Sequence, residues 1–183
     1  MFRFALIAAL AALLAGCVSG GGTSYSTQTY LQITDAGAGP INGSTRYSEA
    51  AFKEALPWAD VRTVQMAREN STGWTLAIFR DDIQVIQLFK GSDGRVGEIN
   101  GVTQHLTGPN GERIGMSLRE AGVSRSSCRN GNNLWRGMAI CPARRSENVT
   151  LVFAIPGYRG PFDVLPSAED LQDAELQRII WKP

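Results

Sequence analysis

Few side chains in this chain of 183 residues could do chemistry, because it contains a single histidine, His105. A serine hydrolase needs a nucleophile beside such a base and a carboxylate behind it, and the sequence has no G-x-S-x-G turn to present one. A pair of carboxylates, such as Asp163 and Glu169, could instead act as acid and base in hydrolysis. The histidine, cysteines and acids show no metal-ligand spacing. We therefore predict no catalytic residue, no metal and no cofactor.

Arginines concentrate between residues 119 and 145. Six of them stand there against one acid, Glu120, so this stretch has a net charge of +5 in a chain whose total is +1. Such a cluster predicts a docking surface for an anionic partner, because guanidinium groups bind phosphates and carboxylates. The alternative, which we favour, is pairing within the chain, since residues 163–175 carry five acids. The candidate surface consists of Arg125, Arg129, Arg136, Arg144 and Arg145.

A third group of residues, near the end of the chain, could form a ligand platform. Arg159 follows Tyr158, and Trp181 is close to the C-terminus, so a guanidinium could stack on an aromatic ring. The same three residues could instead lock the terminal strand onto a sheet. We favour the structural role and keep Tyr158, Arg159 and Trp181 as candidates for both.

The first residues predict export from the cytoplasm. Arg3 precedes an apolar run from Phe4 to Ala15. As a helix this run would be about 18 Å long, whereas a hydrocarbon core is about 30 Å thick. A basic residue, a short apolar run and small residues at its end are typical of a secretory signal peptide. We assign residues 1–16 to that signal peptide.

The end of this segment, Leu-Ala-Gly-Cys with the cysteine at Cys17, resembles the lipobox of bacterial lipoproteins. In those proteins the sulfur receives a diacylglyceryl group, the chain is cut before the cysteine, and the new amino group is acylated. The resemblance implies lipidation at Cys17, and two fatty chains suffice for stable anchoring. Val18, where an aspartate would retain the protein at the inner membrane, implies the outer membrane. Residues 17–29 are then the lipidated cysteine and a flexible tether rich in Gly, Ser and Thr.

Cys128 and Cys141 remain as an even pair in an oxidising compartment. A disulfide between them closes a loop of about fourteen residues and stabilises the fold by about 3 kcal/mol in the chain-entropy model. A redox-active pair is the alternative, although the spacing is not C-x-x-C. We predict the structural disulfide.

Composition limits the remaining functions. Eighteen basic and seventeen acidic side chains give a net charge of +1, which argues against nucleic-acid binding driven by charge. The length suits one domain, and a chain with 43% apolar residues can build a core. We therefore predict a single domain over residues 30–183.

Apolar periodicity predicts an α+β fold, with a mostly antiparallel sheet and two or three short helices. The first helix begins at Ser44 or Thr45 and ends at Leu56. A capping box at Ser117 begins a second helix, and Ser167 begins a brief third. Four strands follow the first helix with connections too short for crossover helices, so they form an antiparallel meander. The predicted strands are residues 30–34, 61–67, 74–79, 83–89, 95–99, 134–141, 149–155 and 176–181.

Three motifs stand in the last third of the chain: Tyr-Arg-Gly-Pro at 158–161, Leu-Pro-Ser at 165–167 and Arg-Ile-Ile-Trp-Lys at 178–182. They are similar to the tail of the RpoE-regulated (sigma-E) bacterial lipoprotein family, which carries a domain of unknown function. The resemblance implies an outer-membrane lipoprotein associated with the envelope stress response. It implies no activity, substrate or catalytic residue.

Together, these observations predict a lipid-anchored protein on the periplasmic face of the bacterial outer membrane. Its folded part is expected to be a non-enzymatic binding or scaffolding module linked to envelope stress. The expected partners are the membrane, through the anchor, and an anionic envelope component or envelope protein. The alternative is a hydrolase of the cell wall or of another periplasmic polymer that uses paired carboxylates.

Overall fold

The computed structural model describes residues 28–183. The predicted signal peptide, Cys17 and most of the predicted tether lie outside the described residues. The strands are β1 Leu31–Thr34, β2 Gly37–Ala38, β3 Asp60–Ala67, β4 Thr72–Arg80, β5 Ile83–Lys90, β6 Val96–Gly101, β7 Leu106–Thr107, β8 Arg129–Asn130, β9 Ala139–Pro142, β10 Val149–Ala154 and β11 Glu175–Trp181. The α-helix is α1 Glu49–Ala55, and short 3-10 turns cover Arg125–Ser127, Asn133–Trp135 and Asp170–Asp173.

Eight strands form one large sheet in the order β3-β4-β5-β6-β11-β10-β9-β8, in which every neighbouring pair is antiparallel. The predicted meander of four strands is confirmed, because β3, β4, β5 and β6 pair in sequence order. The last strand, β11, then pairs with both β6 and β10 and so joins the two halves of the sheet.

One face of the large sheet carries the hydrophobic core. A second sheet, β2-β1-β7, packs on this face, with β1 parallel to β7. Ile33 and Leu106 approach the main chain at Gly101 so closely that a Cβ there would lie 2.8 and 2.6 Å from their side chains. Phe52 of α1 is fully buried in the same core. The glycine is therefore required for the two sheets to pack.

The opposite face of the large sheet is covered only in part, and we call it the open face. Strand register places Arg129, Ile140, Val152 and Arg178 in one row across β8, β9, β10 and β11. Trp135, which precedes β9, packs in a small cluster with the two apolar residues of this row. This face thus carries a short cluster of buried apolar residues with an arginine at each end.

The predicted α+β fold with two or three helices is wrong, because the described chain is mostly β-sheet and has one α-helix of seven residues. Ser48, and not Ser44 or Thr45, caps this helix by accepting a hydrogen bond from the Ala51 amide at 3.2 Å. Within residues 28–183 no helix has both the length and the apolar character that a membrane span requires.

The predicted second helix stops after one turn. Ser117 and Glu120 do form the capping box: the Glu120 carboxylate accepts from the Ser117 amide at 2.8 Å, and the Ser117 hydroxyl accepts from the Glu120 amide at 3.3 Å. Gly122 then adopts a φ of +67°, a left-handed conformation that terminates a helix. The sequence therefore predicted the capping box correctly, but Gly122, five residues after Ser117, prevents the turn from continuing as a helix.

Candidate functional site

The turn that joins β9 to β10 presents two free cationic groups. Arg144 and Arg145 are both exposed, and neither forms an ion pair with a carboxylate of residues 28–183. Arg145 has a φ of +53°, in the left-handed region where the backbone of any residue other than glycine is strained. We call residues 144–148 the arginine turn.

Asp35, which follows β1, holds the arginine turn in place. Its carboxylate accepts hydrogen bonds from the Ser146 hydroxyl and from the amides of Glu147, at 3.1 Å, and Asn148, at 3.0 Å. Its main-chain oxygen accepts from the Asn148 side chain at 3.1 Å and from the Trp181 indole at 2.8 Å. A single residue therefore connects the turn to both the small sheet and the last strand.

Replacing Asp35 with alanine is expected to loosen the arginine turn and to lower the melting temperature at neutral pH. The Ser146 hydroxyl and then the Asn148 amide hold the pKa of Asp35 below its ordinary value of 3.8. A carboxyl with a lowered pKa stabilises the fold above its unfolded pKa and loses that contribution as the pH falls through the folded value. The difference between wild type and Asp35→Ala should therefore shrink below pH 3.8. Thermal unfolding of both proteins, followed by circular dichroism at neutral pH and below pH 3.8, measures this difference in melting temperature.

Asp35→Asn is the matched control for this experiment, since it keeps an oxygen acceptor and the main-chain contacts but removes the charge. Its melting temperature should lie between those of wild type and Asp35→Ala at neutral pH. Equal melting temperatures for wild type and Asp35→Ala at neutral pH would contradict the role assigned to this carboxylate.

The other arginines of the predicted surface are held elsewhere. Arg125 donates from Nε to the main-chain oxygen of Pro166 at 2.8 Å. Arg129 donates two hydrogen bonds to the Glu69 carboxylate, at 2.6 and 2.8 Å. Arg136 is exposed before β9, so it lies at the opposite end of that strand from the arginine turn. The structure thus brings Arg144 and Arg145 together and leaves the other three apart.

The favoured prediction, pairing of the arginines with the acids of residues 163–175, is wrong for the described chain. Among residues 28–183, none of the ion pairs includes one of those five acids. Asp170 instead accepts from the Ser167 hydroxyl at 2.7 Å and from the Ser167 amide at 3.2 Å, as a turn cap. Asp170 thus serves a local turn, and Arg144 and Arg145 keep their charge unpaired within residues 28–183.

A cavity of about 320 Å³ lies on the open face, between the β3–β4 connection and the segment around Trp135. Two ion pairs border it, Arg68 with Glu98 and Arg129 with Glu69. The Arg129 pair joins residues 60 positions apart and ties the β3–β4 connection to β8. The apolar part of its wall consists of Trp135, Ile140 and Ile180.

Glu69, one of the carboxylates of this cavity, is held in the charged form. The hydrogen bonds from Arg129 lower the pKa of Glu69, and those same bonds raise the pKa of Arg129. A general acid at neutral pH needs a raised pKa instead. The carboxylates that the sequence suggested for hydrolysis, Asp163 and Glu169, are both exposed and do not line this cavity.

The structure separates the three candidate platform residues. Trp181 is 2% exposed and belongs to the core. Tyr158 lies in the loop after β10, where its ring packs edge-on against Phe162 at 5.5 Å and burial raises its pKa. Arg159 is exposed beside it. Trp181 therefore locks the terminal strand to Asp35, and the three residues form no common platform.

The predicted disulfide between Cys128 and Cys141 is confirmed. It attaches the 3-10 turn Arg125–Ser127 to β9, whose C-terminal end, next to Cys141, leads into the arginine turn. Ser124 and Ser127 on one side and the two arginines on the other border one depression of about 700 Å³. The disulfide thus fixes the two walls of that depression against each other.

Sequence reasoning missed three residues that organise these sites, Asp35, Glu69 and Glu98. Glu98 carried a readable signal, because it is the one charged residue of strand β6 and is 7% exposed. Asp35 and Glu69 carried none, since their partners lie 111 and 60 positions away in the sequence.

Comparison with known proteins assigns the chain to a family. The family described as "Protein of unknown function (DUF1131)" matches residues 23–183. This chain belongs to the DUF1131 family. The match includes the arginine turn and the open face, so both are parts of the DUF1131 domain.

A similar protein matches this chain over nearly the full length of both. The chain is 20% identical over 187 residues to "Uncharacterized protein YfeY" of Escherichia coli (strain K12), a match that covers 97% of this chain and 96% of that protein. The crystal structure of the uncharacterized protein yfeY from Escherichia coli matches with a TM-score of 0.68 and 20% identity, over 83% of this chain and 99% of that chain. The DUF1131 chain therefore shares its fold with a solved structure. The predicted domain of unknown function is confirmed, while lipidation and RpoE regulation stay predictions.

Proposed function

We propose that this protein is a lipoprotein of the bacterial outer membrane, anchored at Cys17, whose folded part binds an anionic component of the periplasmic envelope without catalysis. The observation that carries the binding role is the arginine turn, with two exposed guanidinium groups that have no carboxylate partner in residues 28–183. The resemblance of the Cys17 segment to a lipobox supports the anchor. The tail motifs at 158–161 and 178–182 support a link to envelope stress.

The conformation of Arg145 supports a role in binding. Glycine adopts left-handed backbone conformations without strain, whereas a branched-chain or long side chain costs about 1 kcal/mol or more there. Retaining arginine at a φ of +53° therefore lowers stability relative to glycine. A backbone conformation that costs stability at a long side chain supports a use other than folding for that side chain.

The arginine turn can bind an anion by geometry rather than by net charge. Glu147 in the same turn and Asp35 beside it bring the local formal charge to zero, but neither carboxylate forms an ion pair with the two arginines. The Asp35 carboxylate already accepts three hydrogen bonds from the turn, which leaves both guanidinium groups available to a carboxylate or phosphate.

Reversing both charges, with Arg144→Glu and Arg145→Glu together, is expected to lower the affinity for the anionic partner by about tenfold or more, which equals about 1.4 kcal/mol. The melting temperature should change little, because both side chains are exposed. Two binding assays measure this: co-sedimentation with purified sacculi, and co-flotation with vesicles that contain phosphatidylglycerol. A loss confined to sacculi identifies cell-wall carboxylates, and a loss confined to vesicles identifies lipid phosphates.

Two matched variants accompany this test. Glu147→Gln removes the competing acid of the turn and should strengthen binding. Arg136→Glu reverses an exposed arginine at the other end of β9 and should leave binding unchanged. Wild-type binding by the double variant in both assays would remove the arginine turn from the proposed function.

A further inference from the structure

Arg178 is a half-buried cation on the open face, and it has no carboxylate partner in residues 28–183. It donates from Nη1 to Oε1 of Gln87 at 3.2 Å, which is its side chain's one hydrogen bond within the described chain. Its guanidinium carbon lies 5.7 Å from the centre of the Trp135 ring, within the range of a cation–π contact. A neutral amide and an indole therefore orient the guanidinium without neutralising it.

Arg129, at the other end of the same row, provides an internal comparison. Its side chain is 53% exposed, yet the fold supplies it with both oxygens of the Glu69 carboxylate. Arg178 is less exposed and receives no counter-charge. Burying a charge costs free energy unless the charge is paired. Arg178 is the more buried of the two arginines, yet it is the one without a carboxylate partner in residues 28–183.

The unused donors of Arg178 point to accessible space. Burial alone lowers the pKa of Arg178, with no carboxylate acting to raise it, although arginine stays protonated at any physiological pH. Every buried side-chain nitrogen and oxygen among residues 28–183 has a hydrogen-bond partner. The guanidinium N–H groups that have no protein acceptor are therefore at positions that solvent or a ligand can reach.

We propose that Arg178 binds the anionic group, a carboxylate or a phosphate, of a ligand that lies on the open face. The planar guanidinium can donate two parallel hydrogen bonds to either group. Val152 and Trp135, which are 0% and 6% exposed, are buried apolar neighbours of this guanidinium, and they lower the local dielectric and so strengthen an ionic contact there. This site is distinct from the arginine turn, which lies against Asp35, and it goes beyond the proposed function.

The full-length protein in detergent solution tests this inference, with two probes at equal ionic strength. Muramyl dipeptide supplies a carboxylate of the cell-wall type, and inorganic phosphate supplies a phosphate. We expect at least one probe to raise the melting temperature and to shift the indole N–H resonance of Trp135, assigned by Trp135→Phe. A response to one probe identifies the chemistry that the site accepts.

Arg178→Met separates binding from packing. Methionine keeps an unbranched apolar chain over Val152 and removes the uncompensated charge, so the melting temperature without ligand should stay the same or rise. The response to both probes should disappear. Arg178→Lys keeps the charge without the paired donors and should weaken the response, while Arg136→Met, an exposed arginine elsewhere, should leave it intact.

Two results would overturn the inference: no response of the wild type to either probe at millimolar concentration, or an undiminished response of Arg178→Met. Neither result bears on the proposed function, because sacculus and vesicle binding are assigned to Arg144 and Arg145. Failure of the arginine turn in those assays would in turn leave the assignment of Arg178 unchanged.

Discussion

Replacing Cys17 with serine is expected to transfer the protein from the detergent phase to the aqueous phase in a Triton X-114 separation. A serine hydroxyl cannot form the thioether that carries the diacylglyceryl group, so the precursor should remain uncleaved and without acyl chains. Each buried methylene contributes about 0.8 kcal/mol to membrane affinity, and two chains suffice for stable anchoring. Losing them is the largest effect that we expect for any substitution in this chain, and because an uncleaved precursor keeps the apolar run of residues 4–15, the intact mass decides the result.

Intact-mass measurement on the same samples shows whether the acyl chains are present. The matched control is the double variant Cys128→Ala and Cys141→Ala, which removes the other two cysteines and should stay in the detergent phase. A wild-type protein whose mature chain begins elsewhere, or whose Cys17 carries a free thiol, would disprove the anchor.

Removing the Cys128–Cys141 disulfide is expected to lower the free energy of unfolding by about 3 kcal/mol, because the cross-link restricts the unfolded chain. For a domain of this size, each kcal/mol lowers the melting temperature by about 2–4 °C, which predicts a decrease of about 6–12 °C. Cys141 is fully buried, and the 3-10 turn Arg125–Ser127 has no buried residue of its own. The turn therefore depends on the disulfide for its position beside β9.

Urea unfolding of the oxidised wild type and of the double alanine variant measures this difference. Both cysteines are replaced together, so that no free thiol remains to form mixed disulfides. Cys17→Ser is the matched control and should keep the unfolding midpoint of the wild type. A double variant that unfolds within about 0.5 kcal/mol of the wild type would contradict the structural role of the disulfide.

The disulfide and the arginine turn belong to one region of the protein. The cross-link positions Ser124 and Ser127 opposite Arg144 and Arg145 across the same depression. Its loss should therefore also weaken binding through the arginine turn, in addition to lowering stability. Asp35 fixes the same turn from the other side, so the two arginines are held by one covalent and one hydrogen-bonded support.

Much of the sheet was predictable because its strands have strong local signals. Segments rich in β-branched and aromatic residues, separated by short turns, predicted β3 to β6 as a meander, and the pairing is as expected. The predicted strand over 134–141 was too long: residues 133–135 form a 3-10 turn, and the strand begins at Ala139. Trp135 packs in the small apolar cluster from a 3-10 turn, so its apolar side chain was wrongly interpreted as part of a strand.

More helices were predicted than the structure contains. The predictions at Ser117 and Ser167 rested on capping residues, which act locally, whereas a helix also needs an apolar face that packs on the core. The hydrogen bonds around Ser117 and Ser167 form as their sequences predict. A helix must also bury an apolar stripe over several turns, and after Ser117 the left-handed Gly122 stops it within one turn. Among residues 28–183, only α1, which buries Phe52 in the core, extends beyond one turn.

The sequence by itself determined the disulfide pair, the antiparallel meander and an excess of arginine between residues 119 and 145, because each depends on residue type and short spacing. Only the tertiary structure decided which arginines are neutralised. Glu69 reaches Arg129 from 60 positions away, whereas Arg144, Arg145 and Arg178 receive no carboxylate from residues 28–183. Electrostatic pairing depends on distances of a few ångströms in the folded state, and strand order, which brings distant segments together, is set by the packing of the whole sheet.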